Sequence, residues 1–385
     1  MLSSLSLLVS LMLLLLSKNS SVRIGSRASS RIINSIHKNH LSSSSTSSSS
    51  SSSTSLSSSS SSSSITTDND NEIIDTSDVL ITGLNFNQDI SVKVVSCREL
   101  IQECIIRNDL SPIASKALGE VMTCSLMMGA GLKEGETIQV NLVGNTGLQN
   151  IMAISDGDLR TRGLVGKPRF SMALPPLDDD IKTRDILGEG QIQVVRNHPT
   201  WKKPQNGIVA LRDTKISLNL ALYMVESEQR SAIMLTDVKV EGNLCRHALG
   251  VMVERLPGCT EENVEISIKN LEAVEKKGLR SFLDRTKEEI ILDDKMFRSM
   301  DPPLNKILDE CLKDMGEDIR WCKVPKFRCS CGYDKIIRTL KLIPREEVNQ
   351  IIAEQNGVEV KCDFCGKAYK LTTEQVTEQV LNAQD

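Results

Sequence analysis

The chain is 385 residues long with 46 basic and 50 acidic side chains, but 31 of its first 70 residues are serine, and Ser42 to Ser64 holds 20 serines in 23 positions. That leader cannot build a core, so about 318 residues from Asp68 onward remain, enough for a large domain and a smaller one at ~100–200 residues per domain. Five bases and no acid precede Asp68; the body therefore holds 41 bases against 50 acids, near −9, which argues against a protein whose main business is coating nucleic acid or an anionic membrane.

Leu5 to Leu16 form an apolar run that is short for a bilayer span and suited to a signal h-region. Arg23, Arg27 and Arg31 then recur at every fourth position, with Ile24, Ala28 and Ile32 one step on. Such a basic, acid-free amphipathic helix is typical of organellar transit sequences, and the order fits a mitochondrial presequence or a bipartite leader for a plastid. A plain secretory signal is the competing reading. The serine tract is a flexible spacer in each case, so residues 1–75 are expected to be leader and spacer, and the mature protein to lie in a matrix or stroma without stable membrane association.

From Asp78, VLITGLNFNQDISVKVV alternates as a first strand pair, and CRELIQECIIRND has helical spacing. Ser111 and Pro112 supply an N-cap and a first-turn proline for PIASKALGEVMTCSLMMGAGL, whose small and apolar residues predict a central helix buried all round. TIQVNLV, QNIMAIS and LRTRGLV, separated by turn residues, read as an antiparallel meander that GQIQVVR and GIVALRD continue. Thr214 is expected to cap a helix, KISLNLALYMVES, before IMLTDVKVEG and HALGVMVERLPG return to strand. Helices within runs of antiparallel strand predict an α+β core over roughly 76–258. Residues 259–322 change style. Charged and rich in Glu and Lys, with apolar residues at helical spacing (Val264, Ile268, Leu271; Ile307, Leu308, Cys311, Leu312), they predict a helical linker or arm that is marginal unless it leans on something else.

Eleven cysteines follow the leader, an odd number with uneven spacing, unlike a small secreted disulfide scaffold and suited to a reducing compartment. Only His198 and His247 lie outside the leader, so a metal would be held by cysteine or carboxylate. In residues 323–385, Cys329-x-Cys331 and Cys362-x-x-Cys365 flank one supersecondary unit, in which Pro344 opens a predicted helix, REEVNQIIAEQN. Four thiolates in two close pairs suit tetrahedral zinc. Gly332 and Gly366 follow each pair and are expected to let the backbone turn its N–H groups toward the sulfurs. So small a module would take most of its folding free energy from the metal. A structural ribbon that binds nucleic acid or protein is the default for such a site. Two features point elsewhere: Cys329 and Cys331 are near enough in sequence to join once a metal leaves, and the marginal linker gives unfolding somewhere to propagate. Lys326, Arg328, Lys335, Arg338, Lys361, Lys367 and Lys370 surround the pairs and offset a tetrathiolate's charge, raise thiolate reactivity, or form a nucleic-acid patch. Tyr333, Phe364 and Tyr369 are expected to form the module's mini-core.

Cys329-Ser-Cys331 with Cys362-Asp-Phe-Cys365-Gly366, the LIPREEVNQIIAEQ start between them, GLQNIMAISDGDLRTRGLV, YMVESEQ and LGVMVERLPG resemble the heat-shock protein 33 family of redox-regulated 33-kDa chaperonins over essentially all of 76–380. The leader, the serine tract, Cys311 and Cys322 depart from the family pattern. The resemblance implies an ATP-independent holdase rather than an enzyme. It would hold zinc through Cys329, Cys331, Cys362 and Cys365 when reduced, and oxidation would form disulfides Cys329–Cys331 and Cys362–Cys365, release zinc, and unfold tail and linker to capture unfolding clients. It also implies a possible homodimer when oxidised, no nucleic acid as partner, and a cytoplasmic location as the alternative to the leader's address.

Enzymatic motifs are weak. Gly163-Leu-Val-Gly-Lys167 is too short for a phosphate loop and Pro168 stands where a Mg²⁺-binding hydroxyl belongs. Gly188-Glu-Gly190 reads as turn chemistry, and Asp178, Asp179, Asp180 and Asp185 as a solvated loop or a cation site. His198 is expected in a loop and His247 on a strand with a hydrogen-bond partner.

Overall fold

The computed structural model describes residues 78–171, 182–212, 214–283 and 302–382. The leader, the serine tract and the Asp178 to Asp180 run lie outside the described residues, as does part of the predicted linker, 284–301. The described residues all fall within one compact unit.

Strands β1 (Val79–Asn85) and β2 (Ile90–Ser96) form the expected first pair. Helix α1 (Arg98–Asn108) follows, its first turn closed from outside: the Asp78 carboxylate accepts the N–H groups of Glu99 (3.0 Å) and Leu100 (2.7 Å), donors the helix itself cannot satisfy. Helix α2 (Pro112–Gly129) begins as the sequence predicts, with Ser111 Oγ accepting from the Ala114 N–H, and is buried on nearly every side because it touches both sheets. The meander is β3 (Thr137–Gly144), β4 (Asn150–Asp156) and β5 (Arg160–Val165). A short α3 (Thr183–Leu187) precedes β6 (Gly190–Asn197) and β7 (Gln205–Ala210). Helix α4 (Ile216–Glu226) starts after Lys215 with no side-chain cap. Thr214 instead takes an amide hydrogen of Asn219 on its hydroxyl, 2.9 Å away, so it braces the helix from one residue further out than expected. Strands β8 (Ala232–Glu241) and β9 (Leu244–Arg255) complete the core as a long hairpin.

With two later strands, β10 (Glu317–Lys323) and β11 (Lys326–Phe327), two sheets result, a five-stranded one ordered β10-β1-β2-β9-β8 and a six-stranded one ordered β11-β5-β4-β3-β6-β7, antiparallel except where β11 meets β5. The fold is α+β. Its hydrophobic centre lies where α2 is clasped between the sheets: Gly250 on β9 leaves room for Thr123 and Met127 of α2, and Gly163 on β5 for Leu118 and Met122. The glycine first met as a fragment of a phosphate loop is therefore a packing glycine inside a strand.

The other face of the five-stranded sheet is covered by α5 (Glu261–Lys277) and α6 (Pro302–Cys311). Thr260 caps α5, and Asn270 reaches across to the carbonyls of Cys311 (3.2 Å) and Lys313 (2.7 Å), closing the C-terminal end of α6. Leu308 and Leu312 lie over Gly83 of β1, where an added Cβ would meet Leu308 Cδ1 at 3.0 Å. By register and pleat, Ile81, Val92, Val94, Val251 and Val253 share that face, and all are buried.

The predicted linker is not helical to its end. Residues Glu317–Lys323 form β10, antiparallel to β1, and Lys326–Phe327 form β11 beside β5. The run is too short for its alternation to stand out, and what pulls it into strand is the edge of β1, whose backbone groups need partners. Among the described residues, no helix is long and apolar enough to cross a membrane.

The tail contains α7 (Tyr333–Leu340), α8 (Arg345–Gln355), the hairpin β12 (Val358–Lys361) and β13 (Ala368–Leu371), and α9 (Thr373–Val376), opened by a Thr372/Gln375 capping box. Pro344 precedes α8 as predicted. The mini-core is aliphatic, built from Leu340, Val348, Val358, Leu371, Val376, Val380 and Leu381, not from the three aromatic residues the sequence suggested. Helix and hairpin side chains at regular spacing supply it, whereas the aromatics sit beside the cysteines.

Candidate metal centre

Cys329 and Cys331 stand between β11 and α7, and Cys362 and Cys365 occupy the turn of the β12–β13 hairpin. The turn is a tight knuckle: Gly366 donates to the Cys362 carbonyl (2.8 Å), and Cys362 donates to that of Lys367 (2.9 Å). Gly366 has φ +70°, as its place after the pair led one to expect. Gly332 does not need to be glycine for its backbone; it is extended (φ −176°) and serves as the N-cap of α7.

All four Sγ atoms lie within 4.8 Å of one another. Cys331 and Cys365 approach to 3.4 Å and Cys329 and Cys362 to 3.7 Å, both contacts running between the two loops. Tetrahedral coordination with ~2.3 Å Zn–S bonds requires sulfurs ~3.8 Å apart, so this donor set fits a zinc-sized ion. Ionisation points the same way. Burial, reinforced by bonds to the neighbouring thiols, pushes Cys329 up to about 12, and burial also raises Cys365. Burial would raise Cys331 too, but the Tyr369 hydroxyl donating at 3.0 Å and the adjacent thiols outweigh it and hold this thiol at about 7. Four clustered thiols cannot all ionise by themselves; a divalent cation would allow it.

Tyr369 is buried and meets Tyr333 edge-on at 5.1 Å, so the aromatic pair walls one side of the sulfurs. The core sheet holds the other side. Arg162 of β5 donates through Nη1 to Ser330 Oγ (3.0 Å), between the first two cysteines, and its guanidinium lies 4.9 Å from the ring of Phe364, between the second two. Asn108, at the end of α1, donates to the Phe364 carbonyl (3.3 Å), and Arg107 stacks over Phe327 at 4.9 Å. Sequence reasoning missed Arg107, Asn108 and Arg162; alternation in LRTRGLV marks Arg162 as facing outward but says nothing about what it meets. Several expected basic neighbours are engaged within the module: Lys335 on Ser330 (2.7 Å), Lys370 with Glu359 (3.1 Å), and Lys367 over the Tyr369 ring (5.2 Å).

The seven other cysteines are free thiols. Cys311 is buried in α6 and burial pushes it up to about 12, whereas Cys322 on β10 is exposed. His247 is on β9, as expected, bonded to Asp237 at 2.8 Å; His198 is in a loop between Thr200 and the Glu134 carbonyl.

An α+β core with a helix-covered sheet thus carries a docked four-cysteine tail able to hold a metal ion. The family model described as Hsp33 protein matches residues 78–372, and the chain belongs to that family. It is 27% identical over 296 residues to the 33 kDa chaperonin of Nostoc punctiforme, covering 76% of this chain and 92% of that one. The 33 kDa chaperonin of Clostridium novyi is 26% identical over 310 residues, 80% and 99% of the two chains. The solved 33 kDa chaperonin (heat shock protein 33 homolog) of Thermotoga maritima shares the fold at a TM-score of 0.67 and 22% identity, covering 80% of this chain and all of that one.

Proposed function

We propose that this chain is a redox-gated, ATP-independent holdase that captures unfolding proteins and is held off by its reduced four-cysteine module. In this reading 76–258 is the chaperone core, 259–322 the linker, 323–385 the switch, and 1–75 an organellar address. The observation that carries it is the meeting of four sulfurs within 4.8 Å on a tail that docks against the core.

A bound zinc ion would supply much of the module's folding free energy and keep four thiolates deprotonated. The protein does the rest. Cys329, Cys331, Cys362 and Cys365 hold the two loops together, and Tyr369 shields and orients Cys331. On oxidation, each disulfide forms as two thiolates give two electrons to one peroxide, which takes up two protons and leaves as two waters. The family resemblance assigns the pairs as Cys329–Cys331 and Cys362–Cys365. With no thiolates left to bind a metal, the small aliphatic core of the tail has too little buried surface to stay folded. Strands β10 and β11 then lose their anchor, α6 loses its continuation, and the buried face bearing Ile81, Val92, Val94, Val251 and Val253 opens to clients.

The test is zinc content, free-thiol count and light scattering of a heat-unfolded client, on protein lacking the leader, before and after mild peroxide or hypochlorite. Loss of one zinc with four thiols, while aggregation is suppressed without ATP, is the expected result. Equal protection by the reduced, zinc-loaded protein would refute redox control. Zinc retained with no activity would make the tail a structural ribbon.

A further inference from the structure

Between the docked tail and the outer face of the six-stranded sheet lies a cavity of about 630 Å³. Gln139, Ile154 and Arg162 form its floor on three neighbouring strands, and Arg328 and Ser330 close it from the segment that carries the first two cysteines. Its charge is one-sided. Arg160, Arg162 and Arg328 line it against one acid, Asp156; Arg160 is held by Asp156 at 2.7 Å and by Asp158, outside the lining, at 2.6 Å, which leaves Arg162 and Arg328 as the uncompensated charges. Neither Arg162 nor Arg328 forms an ion pair among the described residues, and Arg162 Nε is buried with no hydrogen-bond partner. Ser330 Oγ accepts from two cations at once, Arg162 Nη1 at 3.0 Å and Lys335 Nζ at 2.7 Å. A neutral hydroxyl is a poor match for two converging cations; a group with several charged oxygens meets the guanidinium forks far better.

We propose that this cavity is a phosphate-binding site, assembled only while the cysteine module is docked, and that its occupancy slows the redox switch. Docking builds the site because Arg162 belongs to the core sheet while Arg328 and Ser330 belong to the tail. A ligand that binds only the docked form must stabilise it by mass action: at ten times its dissociation constant, phosphate lowers the undocked population about 11-fold. Oxidants that reach the sulfurs through the undocked form are slowed by the same factor. The ligand class is a free phosphate or a phosphorylated small molecule with at least one exposed phosphoryl group. The braking role rests on the holdase reading above; the binding itself does not.

The experiment uses the reduced, zinc-loaded full chain titrated calorimetrically with inorganic phosphate and with pyrophosphate against chloride at matched ionic strength. One saturable site is expected, weakened at least about tenfold in Arg328→Gln and in Arg162→Gln and unchanged in Lys269→Gln. Arg328, exposed and without a salt bridge among the described residues, is the variant least able to disturb folding. Thiol loss under peroxide is then followed with and without saturating phosphate, and the slowing should vanish in Arg328→Gln. Absence of saturable binding, or full binding by Arg328→Gln, overturns the site. Binding without slowing overturns the brake. Client protection after oxidation in phosphate-free buffer reads the holdase proposal separately, so its failure is not confused with failure of the site.

Discussion

Leu308→Ala tests whether the linker helix is the cover of the client face. Leu308 is fully buried, and its two methyl groups sit where Gly83 leaves space on β1. Truncation removes three carbons from that contact and leaves a cavity on a flat sheet, at a cost of about 3 kcal/mol. The core of the domain is built around α2 on the opposite face, so most of this loss falls on α6 docking rather than on global folding. About 3 kcal/mol corresponds to roughly a 100-fold rise in the detached form. The assay is hydrogen exchange over residues 302–311 together with client light scattering, both under reducing conditions with zinc bound. Exchange should rise about 100-fold, and the reduced variant should protect clients without oxidant. Gly83→Val, which pushes from the sheet side against Leu308 and Leu312, should do the same. Faster exchange with no gain in protection would refute the claim that this face binds clients, and unchanged exchange would refute the packing argument itself.

Further outcomes follow from the site and the core. Cys329→Ser should lower zinc content well below one per chain and expose the tail to proteolysis in reduced protein; full zinc retention would remove Cys329 from the ligand set. Gly366→Ala forces φ +70° on a residue with a side chain and brings its Cβ to 2.5 Å from the Arg107 carbonyl, so metal affinity and tail docking should both fall, read by chelator competition and by exchange at residues 107–110. Asp78 supplies a pH test. Burial, against two backbone N–H bonds, raises its carboxyl from 3.8 to about 6. The folded state therefore binds this proton more tightly than the unfolded state, and the associated stability, about 3 kcal/mol, is present near pH 4 and lost as pH rises through 6. In Asp78→Asn that slope should disappear, so the difference in urea midpoint between variant and parent should change between pH 4 and 6; a constant difference would refute the assignment.

Much of this was legible in the primary structure because it rests on local rules. Ser111-Pro112 before a run of small apolar residues defines α2, alternation between turn residues defines the β3–β5 meander, and two close cysteine pairs around one helical unit mark the candidate metal centre, whose sulfurs do converge. Each of these depends on residues a few positions apart. What needed the tertiary structure is long-range pairing. EDIRWCK becomes β10 because β1 has an open edge 230 or more positions away, and Thr82 meets Trp321 there. Arg162 joins both cysteine loops across a sequence gap of 168 residues to Ser330. The aromatic residues of the tail could not be told from core by composition, since a ring beside a sulfur and a ring in a core have the same hydrophobic signature; position alone separates them. The sequence by itself thus set most of the elements of the core, through periodicity and capping, the two close cysteine pairs whose sulfurs converge, and, as a resemblance carried by quoted motifs, the family. Only the folded chain decided which sheet edge the linker would complete and which core residue would face the cysteines, because those outcomes depend on unpaired backbone groups and unpaired charges meeting in space.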